Sequence, residues 1–486
     1  MLCSHDFRRA LPAAILFLGT CQTLTVKAPP PRPNVVLISV DSLRADHLGC
    51  YGYPRLTSPN LDRIAREGAL FENAIAESSW TLPTHVSMLT GLSSSVHGVE
   101  LDFRRLAEEV PTLVSRLREA GYQTKGIYSG PYLHPLFGFG RGFDEYEGVY
   151  GDADGLGAEI AAAAGADDRR RANRLSHRTV TSPAVTERAI EYLRRGRDKP
   201  FFLFLHYFDV HYDYRPPESA WRRFDPDYDG KLSSDNFLRN SRIHPKMDPR
   251  ELEHLIALYD GEIFFTDEHI GYLLDALDEA GLAGETLVVA TADHGEEFFE
   301  HGRKGHRHTL HDEVLKVPLL ARFPNRIPAG IRVGELVRHV DLTPTILSLV
   351  GIEIEAPASG TAISELTGRA RPRAAALAVS RLAYAGGRLL ISARTKEHKY
   401  LINLLTDRRR EFLYDLTRDP REQDPIELQA SPGPDGDGAL ARLRQTLAAV
   451  EVRERALRER FGDWAGENVE VPDEVREQLR SLGYVQ

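Results

Sequence analysis

The chain has 486 residues, a net charge of −10 and 27% charged residues, a composition within the ordinary range for globular proteins. The negative balance argues against nucleic acid or an anionic membrane as the main partner. This length predicts a large domain plus a smaller one rather than a single simple core.

The N-terminus reads as an address. Arg8-Arg9 precedes the apolar run Leu11 to Leu18, which is too short to span a bilayer, so residues 1–28 are expected to be a secretory or lipoprotein signal. Export to the periplasm or exterior follows as an expectation. Leu18-Gly19-Thr20-Cys21 loosely resembles a lipoprotein cleavage box, with lipid anchoring through Cys21 as the alternative to free secretion. Of Cys3, Cys21 and Cys50, only Cys50 outlasts such processing, so no disulfide framework is expected.

A Pro-rich tether, Lys27 to Pro33, leads to the β-branched run Asn34 to Val40, which ends at Asp41. Strand and helix patterns alternate from there, predicting an α/β domain over residues 34–370 with a large, mostly parallel central sheet flanked by helices. Ser58 to Gly68 and Val110 to Gly121 read as capped helices closed by glycine, and Gln123 to Tyr128 as a strand. Gly151 to Arg178, rich in Gly, Ala, Asp and Arg, reads as an exposed insertion. Lys199 to Phe208 is a third buried strand, ending at Asp209-Val210-His211. Leu252 to Leu277 is a long amphipathic helix, and Thr286 to Ala292 a further β-branched strand ending at Asp293-His294-Gly295. Val317 to Arg322 is another strand. Residues 371–486 change texture: short strands at Leu389–Ser392, Lys399–Ile402 and Arg410–Tyr414 predict a small antiparallel sheet, joined by a charged helix over Leu440–Phe461.

Four blocks carry a family resemblance: NVVLISVDSLRADHLGCYG from Asn34, TLPTHVSMLTG from Thr81, TADHG from Thr291 and DLTPTILSLVG from Asp341. With Leu413-Tyr414-Asp415-Leu416 before Asp419-Pro420, the chain resembles the sulfatase branch of the alkaline phosphatase superfamily over nearly all its mature length. That resemblance implies an alkaline-phosphatase-like fold and a divalent metal ion held by Asp41, Thr81, Asp293 and His294. Carboxylate and imidazole suit Zn²⁺, Mn²⁺, Ca²⁺ or Mg²⁺. Ser42 stands where the family usually has a second aspartate, which moves preference away from Ca²⁺. Read apart from the family, the two aspartates are helix caps after strands.

The nucleophile slot departs from the family. Active sulfatases convert a Cys or Ser in C/S-x-P-x-R to formylglycine; here the slot is Thr81 and the arginine position is His85, so no formylglycine is expected. Thr81 instead resembles the metal-bound threonine nucleophile of other branches, while its local reading is a helix N-cap after Trp80, with Pro83 inside the first turn. Catalytic candidates are Thr81, His85, His211 and His308, with His306 and Arg307 on the substrate. An alternative lets two of the histidines between Glu296 and Asp312 (His301, His306, His308, His311) join Asp209 or His211 around a second ion. The G-K-W-H segment that grips sulfate is replaced by Tyr128-Ser129-Gly130-Pro131-Tyr132.

The expected activity is hydrolysis of a small-molecule or saccharide sulfate or phosphate ester through Thr81. Phosphodiesterase, phosphomonoesterase or phosphoethanolamine-transfer chemistry is the alternative. Transferases of that last kind resemble this domain joined to several membrane helices, and no such helix is seen beyond the N-terminal signal. A non-enzymatic alternative is an inactive binder of sulfated glycans.

Overall fold

A computed structural model describes residues 32–149, 180–324, 326–353, 358–367, 377–405, 408–428, 438–460, 466–473, 475, 476 and 479. The expected signal segment with Cys21, the Gly151–Arg178 insertion and the boundary near residue 370 lie outside them.

The main sheet contains strands β1 (Asn34–Val40), β2 (Ala69–Ile75), β3 (Gln123–Tyr128), β4 (Glu145–Gly148), β5 (Phe201–Tyr207), β6 (Thr286–Ala292), β7 (Lys316–Val317), β8 (Leu319–Arg322) and β9 (Ile331–Arg338). From β2 the order is β8, β6, β1, β5, β3, β4, with β7 also on β2 and β9 on its other side. Only β7 and β8, one segment interrupted at Pro318, run antiparallel to their neighbours. Proline has no N–H to give to a ladder, which explains the break. β1, β5 and β6 are buried at every position. Their apolar, β-branched and aromatic side chains satisfy both faces of a sheet covered by helices.

Helices α1 (Pro59–Glu67), α2 (Thr81–Thr90), α3 (Leu113–Glu119), α4 (Ser182–Leu193), α5 (Pro249–Glu279) and α6 (Leu342–Leu349) belong to this layer structure. α5 fixes other parts through buried polar groups. Its Asp267 accepts from the backbone N–H groups of Asn60 and Leu61 at 2.9 and 2.7 Å, capping α1. Its Tyr259 hydroxyl donates to the Ser42 carbonyl at 2.8 Å and accepts from the Arg44 N–H at 2.9 Å, pinning the turn after β1.

The C-terminal part is an antiparallel sheet of β10 (Ala378–Ala383), β11 (Leu389–Arg394), β12 (His398–Leu404), β13 (Arg409–Asp415) and β14 (Ile426–Leu428), in chain order. Helix α7 (Ala439–Arg460) packs Leu440, Leu443 and Leu447 against Tyr400 and Ile402 of that sheet. Among the described residues no helix is long and apolar enough to cross a membrane.

Candidate active site

Register explains why residues 252 positions apart meet. β1 and β6 lie side by side and parallel, pairing Val40 with Ala292, so the next residues, Asp41 and Asp293, leave the sheet at the same edge. That carboxyl edge is where open α/β sheets bind ligands. β5, on the other side of β1, pairs His206 with Ser39. Ser42 adopts a left-handed conformation with φ of 56°, which turns the chain back over the edge. Its N–H donates to Asp293 Oδ1 at 3.1 Å and its hydroxyl to Asp41 Oδ1 at 2.8 Å.

Thr81 arrives on the first turn of α2. Trp80, extended, is the N-cap in place of the expected Thr81, Pro83 occupies the first turn where no N–H partner is needed, and Gly91 closes the helix at φ of 72°. All ten residues of α2 are buried, and the helix directs its positive end at the two aspartates. Thr81 Oγ1 lies 3.4 Å from Asp41 Oδ2 and 3.4 Å from His294 Nε2. His294 Nε2 is 3.4 Å from Asp293 Oδ2 and 3.9 Å from Asp41 Oδ1. Asp41, Asp293 and His294 are 0% exposed and Thr81 2%.

The tautomers of His294 and His85 can be read from their partners. His294 Nδ1 meets the Gly295 carbonyl at 2.9 Å; a carbonyl only accepts, so Nδ1 carries the proton and Nε2 turns its lone pair to the cluster. His85 Nδ1 donates to the Thr81 carbonyl at 2.9 Å, and Nε2 accepts from the Ser39 hydroxyl at 2.9 Å. His85 therefore braces the turn that carries Thr81, 3.7 Å from Asp293 Oδ2. Burial holds it neutral, with its pKa lowered to about 3. Burial also raises the Asp41 carboxyl above its usual range, against the opposing pull of His294.

Of the four loop histidines, His306 reaches the cluster, its ring 4.3 Å from that of His294. Its Nδ1 is 3.0 Å from Glu296 Oε1, and Glu296 Oε2 accepts from the Tyr214 hydroxyl at 3.1 Å. His211 stands at the same rim, 5.0 Å from His306 between ring centres. Arg307 turns elsewhere: its guanidinium pairs with Asp102 at 2.9 Å, donates to the Tyr132 hydroxyl at 3.1 Å and covers the Trp80 ring at 4.0 Å. His308 is exposed, and its carbonyl accepts from Tyr384. His301 and His311 stack on each other 3.6 Å apart and pair with Glu313 and Glu422.

Asp209, weighed from sequence as a ligand to a second ion, is a helix cap. It accepts from the Thr181 and Ser182 N–H groups, both at 2.6 Å, at the start of α4. Glu296 is a site residue that the sequence does not single out. His206 is legible there as a histidine that flanks Asp209 with His211 at the end of the apolar run FFLFLHYF, although the resemblance favours His211 over it.

A model of the sulfatase family matches residues 33–352, and one described as N-sulphoglucosamine sulphohydrolase, C-terminal, matches 299–432. The chain belongs to the sulfatase family. It is a hydrolase of the sulfuric- or phosphoric-ester class to which that family belongs. The chain is 25% identical over 424 residues to an N-acetylglucosamine-6-O-sulfatase of Bacteroides thetaiotaomicron, covering 73% of this chain and 74% of that one. It is 28% identical over 406 residues to a multifunctional alkaline phosphatase superfamily protein of Trinickia caryophylli, covering 70% and 78%. A crystal structure of the phosphonate monoester hydrolase of Agrobacterium radiobacter superposes with a TM-score of 0.71 over 87% of this chain and 96% of that one. At 22% identity this last likeness speaks for the fold alone.

Sulfatases typically bind a divalent metal ion, and the cluster fits one. Asp41, Asp293 and His294 each offer a ligand atom, all within 4.8 Å of one another. The buried Asp293 Oδ2 makes no hydrogen bond within the described protein, the state expected of a group with another partner to serve.

Proposed function

We propose that the protein cleaves a sulfate or phosphate ester by nucleophilic attack of Thr81, in a reaction that requires a divalent cation held by Asp41, Asp293 and His294. The observation that carries this reading is the 3.4 Å approach of Thr81 Oγ1 to both Asp41 Oδ2 and His294 Nε2. A buried hydroxyl beside two carboxylates and an imidazole at a helix N-terminus has no need of that composition for packing. When bound, the cation lowers the pKa of the hydroxyl and offsets the negative charge of the ester group.

The rest is the work of the chain's own residues. Thr81 Oγ1 gives up its proton along its hydrogen bond to Asp41 and forms a bond to the sulfur or phosphorus. The ester oxygen departs on the opposite side as an alcohol, taking a proton from the rim, where His306 and His211 stand. Water then cleaves the Thr81 ester, releasing sulfate or phosphate and restoring the hydroxyl. Glu296 holds His306 in one orientation through Nδ1, leaving Nε2 for the exchange of these protons. The helix N-terminus favours the anionic group throughout.

The test is a panel of aryl sulfate, phosphate monoester, phosphate diester and phosphonate substrates on metal-stripped protein resupplied with Zn²⁺, Mn²⁺, Mg²⁺ or Ca²⁺, beside Thr81→Ala. Turnover of at least one ester class, dependent on both cation and Thr81, is the expected result. Turnover unchanged in Thr81→Ala would remove the nucleophile assignment.

A further inference from the structure

We propose that His206 is a fourth protein ligand of the same cation, joining Asp41, Asp293 and His294. This rests on the metal reading above and extends it to a residue outside the family motifs. His206 enters from β5, on the opposite side of β1 from the strand that delivers Asp293 and His294. Its Nε2 lies 3.4 Å from Asp41 Oδ2. His206, His85 and Asp293 also form a group whose ligand atoms lie within 4.8 Å of one another.

Three observations separate a ligand from a packing residue. First, His206 is 0% exposed, and neither ring nitrogen makes a hydrogen bond among the described residues. A buried ring N–H without an acceptor has lost its hydration with nothing in return, so a second role must offset it. His85 and His294, in the same cluster, spend their nitrogens visibly: His85 on the Thr81 carbonyl and the Ser39 hydroxyl, His294 Nδ1 on the Gly295 carbonyl.

Second, the spacing repeats. Among the four ligands, His294–Asp293 and His206–Asp41 donor atoms are both 3.4 Å apart and His294–Asp41 are 3.9 Å apart, and Thr81 Oγ1 sits 3.4 Å from both Asp41 and His294. Two ligands about 2.1 Å from one ion at a tetrahedral angle sit about 3.4 Å from each other. Third, the ring is held in that orientation by a close approach. A Cβ on Gly130 would fall 2.8 Å from His206 Cε1, so any larger residue there would displace the imidazole. Gly130 has a φ of −103°, ordinary for any residue, so space rather than backbone conformation requires glycine.

A single ion, rather than a second one deeper in the sheet, follows from His85. With Nδ1 protonated toward Thr81 and Nε2 accepting from Ser39, His85 has no lone pair to give. A deeper ion would have His206 and only carboxylates already engaged by the first. Two imidazoles and two carboxylates shift preference toward Zn²⁺ or Mn²⁺ and away from Ca²⁺, which takes oxygen ligands.

The experiment titrates metal-stripped full-length protein with Zn²⁺ against a chelator of known affinity and records the visible spectrum of the Co²⁺ form. The variants are His206→Ala, His206→Asp and Gly130→Ala, with urea unfolding of each metal-stripped protein as the control for folding. Wild type should bind one equivalent. His206→Ala should bind Zn²⁺ about 100-fold more weakly or worse, with an altered Co²⁺ spectrum. Gly130→Ala should shift both in the same direction, and His206→Asp, which restores a ligand, should recover part of the affinity. A structural role would lower only the urea midpoint. Zinc affinity unchanged in His206→Ala and Gly130→Ala overturns the proposal. So does a second equivalent in wild type that His206→Ala alone removes. Wild type that binds none of the four cations refutes the metal reading itself and this inference with it.

Discussion

Two of the buried charged networks among the described residues differ in a way that separates a site from a strut. At the carboxyl edge of the main sheet, Asp41, Asp293, His294 and His206 crowd together, yet Asp293 Oδ2 and both nitrogens of His206 find no hydrogen bond among the described residues. Where the C-terminal sheet meets the main domain, Lys399 pairs with Glu422 at 2.5 Å and Asp312 at 3.2 Å, Arg394 pairs with Asp312 at 2.5 Å, and His311 pairs with Glu422 at 3.2 Å. Every charge in that second group faces one of opposite sign. Buried charge that is matched holds parts together; buried polar groups left open await something else.

The sharpest way to break this contrast is Thr81→Ala. Turnover should fall by about 10⁴-fold or more, measured under steady state, with a thermal midpoint near that of wild type. Lys399→Met should do the reverse. Uncovering Glu422 and Asp312 should cost about 3–5 kcal/mol in urea unfolding, while turnover per folded molecule stays close to wild type. Cation removal should abolish turnover, and restoring a cation at a hundred times its Kd should add about 2.7 kcal/mol of stability, read as a rise in thermal midpoint.

Smaller effects sharpen the boundary. Asp209→Ala should cost about 1–2 kcal/mol through the lost α4 cap and leave metal affinity unchanged. The pH dependence of the C-terminal network has two limbs. Against the desolvation that burial imposes, Lys399 holds Glu422 below its usual 4.5, so its contribution is complete above pH 4.5 and drains away in acid. Burial alone would lower His301, but Glu313 raises it from 6.5 to about 9. Its contribution is complete below pH 6.5 and lost as pH rises through about 9. Thermal midpoints across pH should show both limbs, with Lys399→Met flattening the acid one and His301→Gln the alkaline one.

Sequence reading succeeded where one physical requirement dominated. β1, β3 and β6 match their expected bounds because unbroken apolar runs end at turns. β2 and β9 escaped notice: Glu72-Asn73 and Gly334-Glu335 interrupt their apolar pattern, and β2 follows α1 with only Gly68 between. The motif residues Asp41, Thr81, Asp293 and His294 were legible as chemistry, but their meeting depends on strand order, which no local pattern encodes. The loop histidines show the same limit. Spacing in the chain does not distinguish His306, which faces His294, from His301 and His311, which pair with Glu313 and Glu422.

The most direct measurement is acid-quenched turnover followed by mass analysis of the peptide bearing residue 81. With cation and an accepted ester, a sulfo or phospho group should appear on Thr81 early in turnover, and it should be missing from metal-stripped protein and from Thr81→Ala. Catalysis proceeding with an unmodified residue 81, at a rate indifferent to its replacement, would contradict the account.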